Sequence, residues 1–290
     1  DSPFEIPLPL KHALELGDCV LFLGAGIGAH LIKPNGEPLP NASHLASQLA
    51  SYFSIDSTSD DLSKIAELIE IRGKKAELED YIRTEFSDVS PDENIKWLCG
   101  RKWNAIFTTN YDRGIERAYD LINEIVQKPI SISITSELTN HDPRFEVPVY
   151  HLHGAIFGKQ QRIVISQSDY TKFNEKRRML FEILKQKFAT STILYVGYSN
   201  KDPNWSLLLN EIADEFQPAK LPRAFRVSPD TDKDDMEILF ARGISTIDSD
   251  LEQFVANASL QLKVVSADDG KLRALEKSIP LHLSVFFEKN

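Results

Sequence analysis

Cysteine is almost absent: Cys19 and Cys99 are the only two in 290 residues. Two thiols cannot build a disulfide framework or a four-thiolate zinc site. Cys19 opens a buried-looking apolar stretch, where an inert, reduced thiol is expected. Long apolar runs are also missing. No stretch reaches the roughly eighteen residues of a membrane-crossing helix, and the N-terminus lacks a basic leader before an apolar core. The chain therefore reads as soluble and cytoplasmic, with no membrane partner. Positive charge is scarce, with 33 Lys and Arg against 43 Asp and Glu and a formal net charge of −10. That balance argues against direct nucleic-acid binding, because neutralising phosphates needs clustered cations. The densest basic stretch (Lys172, Lys176, Arg177, Arg178, Lys185, Lys187) lies in one helix-like segment and reads as a solvated helix face. The sequence opens on Asp rather than Met, so a fragment of something longer is expected.

What is present is an ordinary globular composition, 42% hydrophobic and 26% charged. It suffices for a full core in a chain longer than the commonest single domain, so a second module or a large insertion is expected. Short apolar stretches at 19–23, 104–108, 148–152, 192–196, 223–227 and 243–247 lack strict alternation, which suits strands covered on both faces. Helical patterns follow several of them, at 113–122, 204–216 and 232–242. The alternation predicts an α/β fold with a doubly wound, mainly parallel, Rossmann-like sheet. Two stretches break the rhythm: several helices in a row over about 41–99, and another helix at 168–188. Together they predict an inserted small helical module. Residues 1–258 read as one catalytic domain, and 259–290 as a C-terminal extension or the start of a further domain.

The candidate site lies where the strands end. Val20 to Leu23 run into Gly24-Ala25-Gly26, and with Ala29 these satisfy the loose dinucleotide fingerprint, a turn that can bring backbone N–H groups against a phosphate. Three later strands end in polar clusters: Thr108-Thr109-Asn110-Tyr111-Asp112, His151-Leu152-His153-Gly154, and Gly197-Tyr198-Ser199. Read together, in this order and spacing, the four clusters resemble the sirtuin family, and more closely its bacterial NAD-consuming branch found in anti-phage defence proteins. The likeness covers roughly residues 11–258. Gly24-Ala25-Gly26 matches the family's phosphate loop, Asn110 and Asp112 its Q-N-I-D motif, His153-Gly154 its catalytic H-G pair, and Gly197 with Ser199 its later glycine–serine turn at the adenosine ribose. The family's deacylases carry Gln at the position of Thr109 and a zinc ribbon after H-G. Here Ala155-Ile156-Phe157-Gly158-Lys159 follows and no ribbon cysteines exist, which undercuts protein deacylation more than NAD cleavage.

The resemblance implies NAD as substrate. Cleaving the nicotinamide–ribose bond passes through an oxocarbenium-like state with a leaving group that is already cationic, so positioning and exclusion of water matter more than a strong acid. Gly24, Ala25 and Gly26 would cradle the pyrophosphate, with Thr109 beside them. Asn110 would orient a water or the ribose hydroxyls, Asp112 would grip the carboxamide, and His153 would act as general base. Gly197 and Ser199, with Ser228 and Asp248 just past later strands, would contact the adenosine side, although Ser228 and Asp248 read equally as turn formers. Asp202 reads equally as a ligand contact or a helix N-cap, and Tyr111 as a core residue or a lid. His151 would share a face with His153 if the strand stays extended, yet no further ligand stands at metal-like spacing, so no metal is expected.

The preferred reading is an NAD glycohydrolase giving ADP-ribose and nicotinamide. The alternatives are a deacylase or ADP-ribosyltransferase, and a non-catalytic NAD or ADP-ribose binding module. A dehydrogenase is disfavoured, because the carboxylate expected about twenty residues after the glycines is missing. By resemblance the biological role would be NAD depletion during phage infection. The partners would be further copies of the chain or a defence component: a short Argonaute, a DNA-translocating ATPase or a phage-protein sensor.

Overall fold

The computed structural model describes residues 4–158, 163–198 and 223–263, with the side chains of 173–177 left aside. Seven strands form one sheet in the order β5-β6-β4-β1-β7-β8-β9. They are β1 (Cys19–Leu23), β4 (Ala105–Thr108), β5 (Lys128–Ile132), β6 (Glu146–His151), β7 (Thr192–Val196), β8 (Ala224–Val227) and β9 (Ile244–Ile247). Every pairing is parallel. Two further strands of two residues, β2 (Leu31–Ile32) and β3 (Ser90–Pro91), make a small antiparallel pair beside it.

Burial on both faces explains the unbroken apolar runs. Val20 and Phe22 of β1 pack with Ala105, Phe107, Ile193 and Tyr195 on one side. Leu21 and Leu23 face Ile106, Val149, Leu194 and Val196 on the other. Helices start where short polar side chains can accept the orphaned first N–H groups. Asn41 caps α2 (Ala42–Tyr52), Asp61 caps α3 (Leu62–Ile71), Asp92 caps α5 (Glu93–Cys99) and Ser166 caps α7 (Gln167–Thr190). With α4 (Lys75–Phe86), the run α2–α5 forms the helical stretch expected over 41–99. The first turn of α7 joins it: Ser168 donates from Oγ and N–H to Glu67, and Lys75 Nζ bonds Asp169 at 2.8 Å. Farther along α7, Leu180, Leu184 and Phe188 cover the sheet. Among the described residues, no helix is long and apolar enough to cross a membrane.

The predicted strands match β1, β4, β6, β7, β8 and β9 to within a few residues. Strand β5 was not foreseen, because Pro129 within Lys-Pro-Ile-Ser-Ile reads as a strand breaker. It survives at the sheet edge, where a missing N–H costs no ladder bond. The predicted helix 204–216 lies outside the described residues, as do 264–290. The last described helix, α9 (Leu251–Gln261, after α6 Gly114–Leu121 and α8 Lys233–Ala241), runs through residue 258. It ties back to the N-terminal segment through Gln261, which donates to Phe4 O and accepts from Ile6 N–H.

Strand order reverses beside β1, because the chain goes first to β4, β5 and β6 and then crosses to β7. At that switch point the turns after β1 and β7 touch through backbone alone. Gly24 N–H donates to Val196 O at 2.9 Å, and Gly26 N–H to Gly197 O at 2.7 Å. A Cβ on Gly24 would lie 2.5 Å from Gly197 O and 2.8 Å from Tyr198 Cα. One on Gly197, which has φ +65, would lie 2.5 Å from Ile27 N. Neither obstacle is a side chain that can swing away.

Gly24→Ala and Gly197→Ala should therefore each destabilise the fold by about 1–3 kcal/mol or more, as overpacking against fixed atoms does. Gly36→Ala meets nothing within 4 Å and bears only its φ of +85, which costs about 1 kcal/mol. Urea unfolding of the three variants checks this, and a Gly24→Ala protein as stable as Gly36→Ala would refute the turn-to-turn lock.

Candidate active site at the carboxyl edge of the sheet

All the predicted site residues within the described parts sit at the carboxyl edge of the sheet, where open α/β folds bind ligands. The lock described above places the glycine turn. Its geometry narrows the expected cradle, since the N–H groups of Gly24 and Gly26 are already taken by the β7 end. Ala25 and Gly26 remain exposed at the tip, and a 3₁₀ helix (Ala25–His30) follows in place of a long α-helix.

One strand away, β4 ends at the buried Thr108. Its Oγ1 accepts the Asn110 N–H at 3.0 Å, turning the chain out of the sheet, while Thr109 N–H still reaches Leu23 O at 3.3 Å. Asn110 is thereby left buried with a carboxamide that makes no hydrogen bond among the described residues. Tyr111 resolves as a brace: its hydroxyl donates to Val164 O at 2.9 Å, and its carbonyl accepts Ile156 N–H at 3.0 Å. It thus ties the Asn110 turn to the segment after β6. Asp112 accepts the Gly114 N–H at 2.7 Å at the start of α6. Burial pushes its carboxyl up to about 6, against the lowering influence of Gly114 N–H and His151.

Strand β6 stops at His151, and Leu152 and His153 lie in a turn. The two imidazoles therefore do not share a strand face, and they meet different helices. His151 Nε2 is 2.9 Å from Glu116 Oε1 of α6. His153 stands edge-on to the Tyr170 ring of α7, with centroids 5.3 Å apart. Gly154, at φ +84, allows the reversal after it, and Val164 N–H donates to His153 O at 2.8 Å. Among the described residues there is no group of three or more His, Cys, Asp or Glu able to hold a metal.

The structure brings Gly24–Gly26, Thr109, Asn110, Asp112, His153 and Gly197 onto three adjacent strand ends and the central glycine turn. Ser228 and Asp248 sit farther out, after β8 and β9. At roughly 4.8 Å per strand, Asp248 is about 14 Å from the glycine turn. Asp248 Oδ1 accepts the Asp230 N–H at 3.0 Å, which is turn-forming work. Ser228 Oγ accepts from Arg226 Nη2 at 2.9 Å. Ser199 and Asp202 lie outside the described residues.

Sequence reasoning missed Glu116, in the first turn of α6 and four residues after Asp112. It is buried, accepts a short hydrogen bond from Ser131 Oγ of β5, and pairs with His151. Burial opposes its ionisation, but His151 and Ser131 hold its pKa below the ordinary value. The signal was a lone carboxylate among Ile115, Ala118 and Tyr119, on the buried face of a short helix.

Asp112 yields a pH prediction with a definite sign. Its folded pKa of about 6 exceeds the ordinary 3.8, so the ionised form penalises the fold in full above pH 6 and the penalty vanishes as pH falls toward 3.8. Asp112→Asn removes the charge and keeps an acceptor for Gly114 N–H. It should stabilise the protein at pH 7.5 by about 1–3 kcal/mol, with the difference gone near pH 4. Denaturant midpoints at both pH values test this, and an Asn variant that is less stable at pH 7.5 contradicts it.

Comparison with known proteins gives the geometry a family. Residues 104–247 match the family model of the SIR2-like domain. "NAD(+) hydrolase ThsA" of Enterococcus faecium is 28% identical over 207 residues, which is 70% of this chain and 41% of that protein. The protein of the same name from Bacillus cereus (strain MSX-D12) is 28% identical over 149 residues, 51% of this chain and 30% of its own length. That from Acinetobacter baumannii (strain 532279) is 27% identical over 207 residues. The chain spans about two fifths of the length of the first of these relatives. The matched segment runs from β4 to β9 and contains Asn110, Asp112, His153 and Gly197. Over residues 104–247, and so over the candidate site, the chain is similar to the SIR2-like domain.

Proposed function

We propose that the protein is an NAD glycohydrolase, converting NAD⁺ and water to ADP-ribose, nicotinamide and a proton. The observation that carries the reading is the Asn110 carboxamide at the rim: the residue is held in place by its backbone and is only 9% exposed, and its amide makes no hydrogen bond to another described residue. It lies one strand from the switch point, in a chain that is similar to the SIR2-like domain and to proteins named NAD(+) hydrolase. In this reading Asn110 orients the attacking water or the ribose hydroxyls, and His153 takes the proton as water adds to the anomeric carbon. Asp112 addresses the nicotinamide carboxamide. Ala25 and Gly26 at the loop tip, with Thr109 and Gly197, line the phosphate and ribose path toward Ser228 and Asp248, and Ser199 is the further ribose contact that the sequence suggests. The body up to about residue 258 is the catalytic domain. No metal has a role, and NAD is consumed as substrate.

The cellular role that fits is NAD depletion as the effector of an anti-phage system in the cytoplasm. There assembly with further copies, or with a sensing partner such as a short Argonaute, a DNA-translocating ATPase or a phage-protein sensor, switches the activity on. Unregulated NAD destruction would kill the host, and a pocket made of strand-end turns under a helical cover is readily gated by ordering.

Incubation with NAD and chromatography of the products should show nicotinamide and ADP-ribose in equal amounts. Asn110→Ala and His153→Ala should each lower nicotinamide release by about a hundredfold or more while leaving the circular dichroism spectrum unchanged. Near-normal turnover by either variant refutes its assignment. Tight ADP-ribose binding with no cleavage would instead favour a binding module. Specific activity should also rise with protein concentration, and full activity in a dilute monomer would remove assembly as the switch.

A further inference from the structure

Beneath the Asn110 turn lies a buried polar chain that the proposed reaction does not use. Ser131 Oγ donates to Glu116 Oε1, Glu116 Oε1 lies 2.9 Å from His151 Nε2, and His151 Nδ1 lies 3.4 Å from the Asn110 carbonyl oxygen. The links come from β5, α6, β6 and the loop after β4, so four separate segments converge on one imidazole. His151 is fully buried and cannot itself meet a ligand.

The acceptors fix the protons. A carbonyl oxygen can only accept, so the contact with Asn110 requires hydrogen on Nδ1. Glu116 already accepts from Ser131 and faces Nε2. Both ring nitrogens are therefore donors when Glu116 is ionised. We propose that Glu116 and His151 form a carboxylate–imidazolium pair whose work is to hold the Asn110 peptide, so that His151 is a positioning residue for the NAD-cleaving site. This rests on the reading of the site given above.

The surroundings favour the charged pair. Burial disfavours the imidazolium, but Glu116, the Asn110 carbonyl and Asp112 together raise the His151 pKa above its usual value. Glu116 is held below its own usual value. Among the described residues, the other titratable groups facing the pair are Asp112 before α6, Tyr119 on α6 and Cys99 on α5. The Phe157 ring stands edge-on to His151 at 5.2 Å, with the Arg113 guanidinium over that ring at 5.5 Å. At 3.4 Å the contact is at the long end of hydrogen-bonding distance, and a charged imidazolium donor strengthens it. Its effect is geometric: it sets the carbonyl orientation of the residue whose side chain faces the reacting bond. A misplacement there, even of about 1 Å, costs rate far more than binding.

Two substitutions separate positioning from mere stability. In His151→Asn the side-chain NH₂ stands about where Nδ1 was, so the donor to Asn110 O survives while Glu116 is left unpaired. In His151→Gln the NH₂ stands about where Nε2 was, so Glu116 keeps its partner and the donor to Asn110 is lost. Stability alone ranks Gln above Asn, because an unpaired buried carboxylate is strongly destabilising. Positioning ranks turnover the other way. We expect His151→Gln to lower kcat about tenfold or more with KM for NAD within about threefold, and His151→Asn to lose clearly less. Turnover that follows melting temperature, with Gln the faster variant, overturns the proposal.

Nitrogen-15 NMR of the histidine side chains in the wild-type protein decides the charge state without any catalysis. Both His151 nitrogens should be protonated at pH 7.5, and Glu116→Gln should restore a neutral ring at that pH. A neutral His151 in the wild type overturns the pair. A wild-type protein with a charged His151 and no nicotinamide release would overturn the glycohydrolase reading and leave the pair standing.

Discussion

Two backbone turns, after β1 and β7, pack with no side chain between them, and most of the candidate site is placed by that contact. Gly24 and Gly26 donate to Val196 O and Gly197 O, and the clearances at all three glycines are too short for a Cβ. Once β1 and β7 are clamped at their carboxyl ends, parallel pairing sets the heights of their neighbours. Leu23 lies opposite both Thr108 and Val196, and Thr108 opposite His151. The ends of β4 and β6 thus arrive level with the glycine turn, and the residues just past them, Asn110 and His153, project from one rim. The glycines matter for shape before they matter for any phosphate.

The second feature is the concentration of charge under that rim. Asp112, Glu116 and His151 are all buried beneath the Asn110 turn, His151 reaching it from forty-one residues away. Removing such groups from water costs several kcal/mol each, and pairing offsets this only in part. An apolar packing of equal volume would hold the fold more cheaply. What the polar arrangement adds is direction. Side-chain and peptide dipoles are fixed through Ser131, Glu116, His151 and Gly114, so the turn has a defined orientation before any ligand arrives. Such prior ordering is the main resource of a site that works by positioning, as the proposed reaction would require.

Much of this was legible in the sequence because it rests on short-range chemistry. The unbroken apolar runs mark strands covered on both faces, and a glycine or an Asn-x-Asp directly after such a run marks a strand end with a job other than packing. Pairing across the sheet was not legible. His151 and His153 look like neighbours in sequence, but the strand ends between them and sends one ring toward α6 and the other toward α7. Glu116 was passed over because a single carboxylate on a short helix is ordinarily solvated, even beside apolar neighbours such as Ile115, Ala118 and Tyr119. Its meaning comes from β5 and β6, fifteen and thirty-five residues away. Strand β5 was hidden for a related reason, since Pro129 forbids a central strand and is harmless at an edge.

Strand β1 lies in the middle of the sheet yet forms near the start of the chain. Its two partners, β4 and β7, begin at residues 105 and 192. A ribosome emitting about 5–20 residues per second exposes β1 for many seconds before β7 emerges. During that interval one edge of a wholly apolar strand has no partner, and such an edge invites pairing with another nascent chain. The helices α2–α5 all emerge in the gap, and α5, with the small β2–β3 pair, packs against the segment leading out of β1. The elements that pack on the segment after β1 are therefore all synthesised before the far half of the sheet.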